Sequence, residues 1–149
     1  MVELLRPIMP GLTDIRADDG IVYTLTESEA VPVVLMGDGQ KRMFTLVAHL
    51  SRAEDGGLAL LEEPDRSLHP SAMRLLAETI WAAVDAGTQV VISTHSHPLA
   101  RMLEGMSEAS DDDPNESRAG KLSILLLGLE SGRLSCEEKT SDSLMWSYS

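Results

Sequence analysis

The sequence predicts an α/β fold with a mostly parallel sheet at its core, flanking helices and a C-terminal β-hairpin. Three observations carry this expectation. Leu58-Ala59-Leu60-Leu61 is a wholly apolar run ending in the carboxylates Glu62 and Glu63, the pattern of a strand buried on both faces whose polar end emerges at the sheet edge. Pro70 stands where a first-turn proline belongs, and Met73, Leu76, Ile80 and Val84 continue a helical stripe until Gly87 ends it. Gln89 to Ser93 reads as a second buried strand. Strand, helix of about four turns and strand form a βαβ unit, whose parallel strands bring their C-terminal ends to one edge. Glu62, Glu63 and His95 are therefore expected side by side.

The other elements follow in order. Residues 1–20 carry Pro7, Pro10, Gly11 and Gly20, too broken a pattern for a long helix or a central strand, and read as a lead-in. Ile21 to Leu25 and Val31 to Leu35 are β-branched and aliphatic runs separated by Glu27-Ser28-Glu29, and predict two short strands. Gly37-Asp38-Gly39 interrupts the chain, and Met43, Phe44, Leu46, Val47 and Leu50 then share one helical face. A glycine turn thus feeds a helix N-terminus. Beyond the βαβ unit, Pro98 to Leu103 suggests a short helix, and Leu122 to Leu129 with Arg133 to Glu138 form a hairpin around Glu130-Ser131-Gly132. The expected organisation is one domain over 1–149: lead-in strands 1–35, core 36–105, acidic loop 106–119 and hairpin 120–140.

Composition narrows the function. With 149 residues and 43% hydrophobic content the chain can bury one genuine core. No apolar run approaches the roughly 18 to 20 residues of a membrane span, and the acidic start lacks a signal-like n-region, so a cytoplasmic protein without a membrane partner is expected. Cys136, the single cysteine, supplies neither an internal disulfide nor a Cys-rich metal site. A net charge of -12 argues against a broad phosphate-backbone footprint, so any DNA contact is expected to be indirect. Glu104, Glu108, Asp111, Asp112, Asp113 and Glu116, with no Lys or Arg among them, read as a solvated acidic loop without the alternating ligand pattern of a calcium site.

The end of the first buried strand has the form of a site for a magnesium-bound nucleotide. Mg²⁺ takes few direct carboxylate contacts and keeps waters, and a second carboxylate can polarise the water that attacks a phosphoryl group. An isolated Glu-Glu pair would be an ordinary pair of solvated acids. Four aliphatics before Glu62-Glu63 and Pro64-Asp65-Arg66-Ser67-Leu68-His69-Pro70 after it favour the site. His95, following the next strand, is placed to reach a terminal phosphate, although a strand-end histidine is commonly a structural hydrogen-bonding residue. His95-Ser96-His97 with nearby glutamates also suggests a zinc-type site, and His49 and His69 read as structural. Gly37-Asp38-Gly39-Gln40 offers backbone N–H groups to phosphate at a helix start, a weak signal alone.

Taken together, Met36-Gly37-Asp38-Gly39-Gln40, Leu60 to Pro70 and Gln89 to Ser96 resemble, in order and spacing, the AAA-family ATPases with ABC-type heads, particularly OLD-like and RecF-like members. The resemblance spans roughly residues 30–103 and implies a partial P-loop NTPase fold. It makes the glycine turn a signature motif, the glutamate strand a Walker B strand, Asp65 to His69 a D-loop and His95 a switch histidine. Glu62 would hold Mg²⁺ through water, Glu63 would be the general base, and His95 would sense the γ-phosphate of ATP. Gly37, Asp38, Gly39, Gln40 and Asp65 would serve ATP binding, the glycine turn meeting ATP on the opposite subunit of a head-to-head dimer.

Two departures qualify the likeness. Many ABC-type heads carry aspartate where this chain has Glu62, and Gly37 replaces the signature serine. The larger departure is that no Gly-x-x-x-x-Gly-Lys-Ser/Thr occurs, the only Gly-Lys pair, Gly120-Lys121, being followed by Leu122. The expectation is the C-terminal half of a head that hydrolyses ATP only with a P-loop-bearing lobe or subunit. A regulatory partner docking on a complete head and a metal-dependent hydrolase using His95 and His97 are the rival expectations.

Overall fold

The computed structural model describes residues 1–52, 56–108, 118 and 120–139, which fall into two compact units, Met1–Leu99 and Ala100–Ser149. In the first unit the chain opens with the short helix α1 (Val2–Leu5), followed by the antiparallel strands β1 (Asp14–Asp18), β2 (Ile21–Leu25) and β3 (Ala30–Pro32) in the order β1-β2-β3. The lead-in is thus more regular than its prolines suggest. Asp19 and Gly20, at φ 45° and 77°, close a two-residue hairpin between Asp18 and Ile21, because a turn matched to strand twist needs positive φ at both positions. The expected strand Val31 to Leu35 is shorter: it stops at Pro32, which has no ladder N–H to offer, and Val33–Leu35 wind into a 3₁₀ turn.

Helix α2 (Asp38–Leu50) follows, with Met43, Leu46, Val47 and Leu50 buried as the periodicity predicts. Strand β4 (Leu58–Glu62), helix α3 (Pro70–Asp85) and strand β5 (Gln89–Ser93) form the βαβ unit, β4 and β5 pairing in parallel with Glu62 opposite Ser93. Helix α3 begins and ends where its proline and glycine place it. Pro70 occupies the first turn, His69 caps it by accepting the Ser71 N–H and bonding the Ser71 hydroxyl at 2.9 Å, and Gly87 leaves it at φ 92°. Leu76, Ile80 and Trp81 are buried, and α3 packs on both α2 and β5.

One expectation about the core is overturned. Strand β4 is buried on one face only: Ala59 and Leu61 are 1% and 6% exposed, whereas Leu58 and Leu60 are 59% and 66% exposed. The reason is that the parallel part of the fold consists, among the described residues, of two strands, and the helices cover one side. The core is therefore not a mostly parallel sheet. Among the described residues the first unit combines a three-stranded antiparallel sheet with a two-stranded parallel sheet, and the hairpin belongs to the second unit.

Helix α4 spans His97–Glu108, well beyond the short helix expected at Pro98 to Leu103, and it absorbs Glu104 and Glu108 from the expected acidic loop. The rest of that loop, with Asp111, Asp112, Asp113 and Glu116, lies outside the described residues. In the second unit, β6 (Ile124–Glu130) and β7 (Arg133–Lys139) form the expected hairpin, turning through Ser131 and Gly132 at φ 51° and 77°. Among the described residues no helix is long and apolar enough to cross a membrane.

Candidate active site

The parallel pairing of β4 and β5 delivers the predicted residues to one edge. Glu62 ends β4 opposite Ser93, and the next amide, that of Glu63, donates to the Ser93 carbonyl at 2.8 Å, carrying the pairing one residue past the strand. Glu63 then takes φ 45°, a left-handed conformation that side chains other than glycine adopt reluctantly, and turns the chain out of the sheet. Its carboxylate meets His95, with Oε1 2.8 Å from Nδ1. Glu63 is 26% exposed while His95 is 89% exposed, so the carboxylate is sheltered and the ring is accessible. An Nδ1–H donated to the carboxylate leaves Nε2 uncommitted to Glu63.

The segment after Glu63 is a compact loop. Arg66 N–H donates to the Glu63 carbonyl, Leu68 N–H donates to the Asp65 carbonyl, and Ser67 adopts φ 66°. Asp65 is held from β5's end: the Thr94 hydroxyl donates to its Oδ1 at 2.7 Å, while Thr94 Oγ1 accepts the Ser96 N–H at 2.9 Å. Thr94 was visible in the sequence only as a neighbour of His95.

The glycine turn joins this edge from α2. Gly37 is the N-cap, with no side-chain cap bond, so the first amides of α2 have no capping oxygen and suit an anion. Gly39 lies against the loop after Glu63: a Cβ built there would come within 3.2 Å of the Ser67 carbonyl oxygen. Arg42, one helical turn on, reaches the carbonyls of Glu62, Glu63 and Pro64. Gln40 points elsewhere, its Nε2 donating to the Ile8 carbonyl at 3.3 Å.

Asp38 is paired within its own turn, Lys41 Nζ lying 2.9 Å from its Oδ1. This hydrogen bond, and then the ammonium charge, holds the Asp38 carboxyl below its ordinary value of 3.8. A depressed carboxyl stabilises the fold above its unfolded value, and that contribution disappears as pH falls through the lower folded value. Asp38→Asn is accordingly expected to lower thermal stability slightly at neutral pH and to change nothing in strong acid. Because Asp38 is fully exposed the effect is small, and melting curves across pH read it.

Two cofactor readings separate on donor chemistry. Mg²⁺ bound to a nucleotide takes one or two protein carboxylates plus phosphate oxygens and water, and the exposed Glu62 at the strand end fits that demand. A zinc-type site needs three or more converging side chains, and among the described residues no group of three His, Cys, Asp or Glu forms one.

The profile of a family described as "AAA domain, putative AbiEii toxin, Type IV TA system" matches residues 8–102, which contain every residue of this edge. The chain belongs to this AAA domain family. Two solved structures show the fold that the AAA domain adopts. One comes from structural biochemistry of the ATP-driven dimerisation and DNA-stimulated activation of SMC ATPases; it is 13% identical, with a TM-score of 0.62, and the match covers 97% of this chain and 83% of that one. The other is an SMC head bound to the C-terminal winged-helix domain of ScpA, 11% identical with a TM-score of 0.65, where the match covers 93% of this chain and 40% of that one. The AAA domain thus has the fold of part of an SMC ATPase head, and spans well under half of the second structure's chain. No curated protein matches the sequence.

Proposed function

We propose that this AAA domain is the catalytic-base half of an OLD-like or RecF-like ATPase head, hydrolysing ATP when a P-loop-bearing lobe or subunit supplies the phosphate cradle. The observation that carries the reading is the sheltered Glu63 carboxylate, bonded to an exposed His95 at the shared C-terminal edge of two parallel strands. Glu63 takes the proton of a water whose oxygen bonds to the γ-phosphorus as the bond from phosphorus to the β–γ bridging oxygen breaks. His95 orients Glu63 before ATP arrives and faces the γ-phosphate once it is bound. Glu62 would hold Mg²⁺ through water, a place where such an ion would supply charge neutralisation for the phosphates. Gly37, Asp38 and Gly39 present the α2 N-terminus to ATP held by a second head, and Asp65 sits beside that contact.

Several facts support the conditional form of this proposal. The sequence contains no Walker A motif, and the match covers 40% of the SMC head chain bound to ScpA. The SMC work concerns ATP-driven dimerisation, consistent with a head-to-head dimer through ATP, and the ScpA complex is consistent with a docked partner. The test is calorimetric titration of ATP into the chain alone, followed by ATPase assays with the P-loop-bearing segment from the same source. No micromolar binding alone and hydrolysis on mixing are the expected results. Tight ATP binding by the isolated chain, or a complex without hydrolysis, would overturn the reading.

A further inference from the structure

Arg42 belongs to none of the chemistry above, yet its guanidinium ties the base-bearing turn to α2. On half-buried α2 side-chain geometry, Nε donates to the Pro64 carbonyl at 3.3 Å, and Nη2 donates to the carbonyls of Glu62, at 3.1 Å, and of Glu63. In an extended strand successive carbonyls alternate in direction, so three in a row can face one cation only where the chain turns. Glu63, at φ 45°, makes that turn. A planar fork of donors carrying a permanent charge suits several carbonyl dipoles at once, which a lysine ammonium on a flexible stem does less well. The second contact of the same helix lies one turn earlier, where Gly39 admits the Ser67 carbonyl oxygen too closely for a larger residue to enter freely.

We infer that Arg42 is a positioning residue that fixes Glu63 in its left-handed conformation and ties the base-bearing loop to the helix whose N-terminus is the glycine turn. Glycine turn and base loop then move as one body, so a phosphate seated on Gly37 to Gly39 sets the position of Glu63. The catalytic half of this inference rests on the ATPase reading; the structural half does not.

The experiment uses Arg42→Met and Arg42→Lys. In the full chain, residue-resolved hydrogen exchange is expected to show the Arg66 and Leu68 amides exchanging roughly tenfold faster in Arg42→Met, with a smaller change in Arg42→Lys, while the Ile80 and Trp81 amides of α3 keep their protection. Uniform acceleration, or none, overturns the inference, and if Arg42→Met does not fold, the pattern in Arg42→Lys decides. In the head assembled with its P-loop-bearing segment, kcat is expected to fall roughly tenfold in Arg42→Met with KM for ATP unchanged and to recover partly in Arg42→Lys. Glu63→Gln in the same assembly separates the two failures. If it keeps full activity, the ATPase reading falls and the exchange result stands; if it is inactive while Arg42→Met keeps full kcat, the inference falls.

Discussion

Replacing Glu63 with glutamine in the assembled head is expected to lower kcat about a thousandfold while leaving ATP affinity within a few-fold, since a positioned general base contributes about 10²- to 10⁴-fold. The amide has nearly the shape of the carboxylate and still accepts a hydrogen bond from His95 through its oxygen, so the 2.8 Å contact need not be lost. What it cannot do is accept the water's proton. Single-turnover assays separate the chemical step from binding, and a variant with full activity would remove Glu63 from the role of base. His95→Ala is expected to cost less in the same assay, because it removes the orienting partner and leaves the proton acceptor in place.

The second large effect concerns the fold. Leu76 is fully buried on α3, the helix that packs against α2 and β5. Leu76→Ala removes apolar volume from that contact and is expected to cost about 2–5 kcal/mol, read as a lower urea midpoint at constant slope. Leu60, although equally aliphatic and only two positions from the catalytic pair, is 66% exposed. Leu60→Ala in the isolated chain is expected to stay within about 0.5 kcal/mol of wild type. Similar losses at both positions would mean that β4 is covered on both sides after all.

That contrast also marks what a sequence can tell. The βαβ unit was legible because its signals are local: an aliphatic run, a first-turn proline, a stripe at helical spacing and a terminating glycine. Whether the second face of β4 is covered was not, because Leu58 and Leu60 look the same whether their neighbours lie within this chain or elsewhere. The Asp19-Gly20 hairpin is legible in principle, as Asp-Gly is a strong turn signal, but the prolines upstream of it point to broken structure. The juxtaposition of Glu62, Glu63 and His95 followed from parallel pairing alone. Arg42 did not, since its partners are backbone carbonyls 20 to 22 residues away, and carbonyls leave no mark in the sequence. Nothing distinguishes such an arginine from one that merely solvates a helix. Asp65 and Thr94 were both visible, but their bond across 29 residues was not.

The one-sided sheet has a consequence for how this polypeptide fares in a cell. Leu58, Leu60 and Val91 line an open aliphatic face, and the hairpin leaves Leu125, Leu127, Leu129 and Leu134 exposed as well. Surfaces of this kind attract one another and recruit chaperones, and strand edges among them offer templates for unwanted pairing. The net charge of -12 works against that tendency by keeping copies apart, and salt weakens this protection. The isolated chain is then expected to self-associate more readily as salt is raised, a property of its surface and not of its fold.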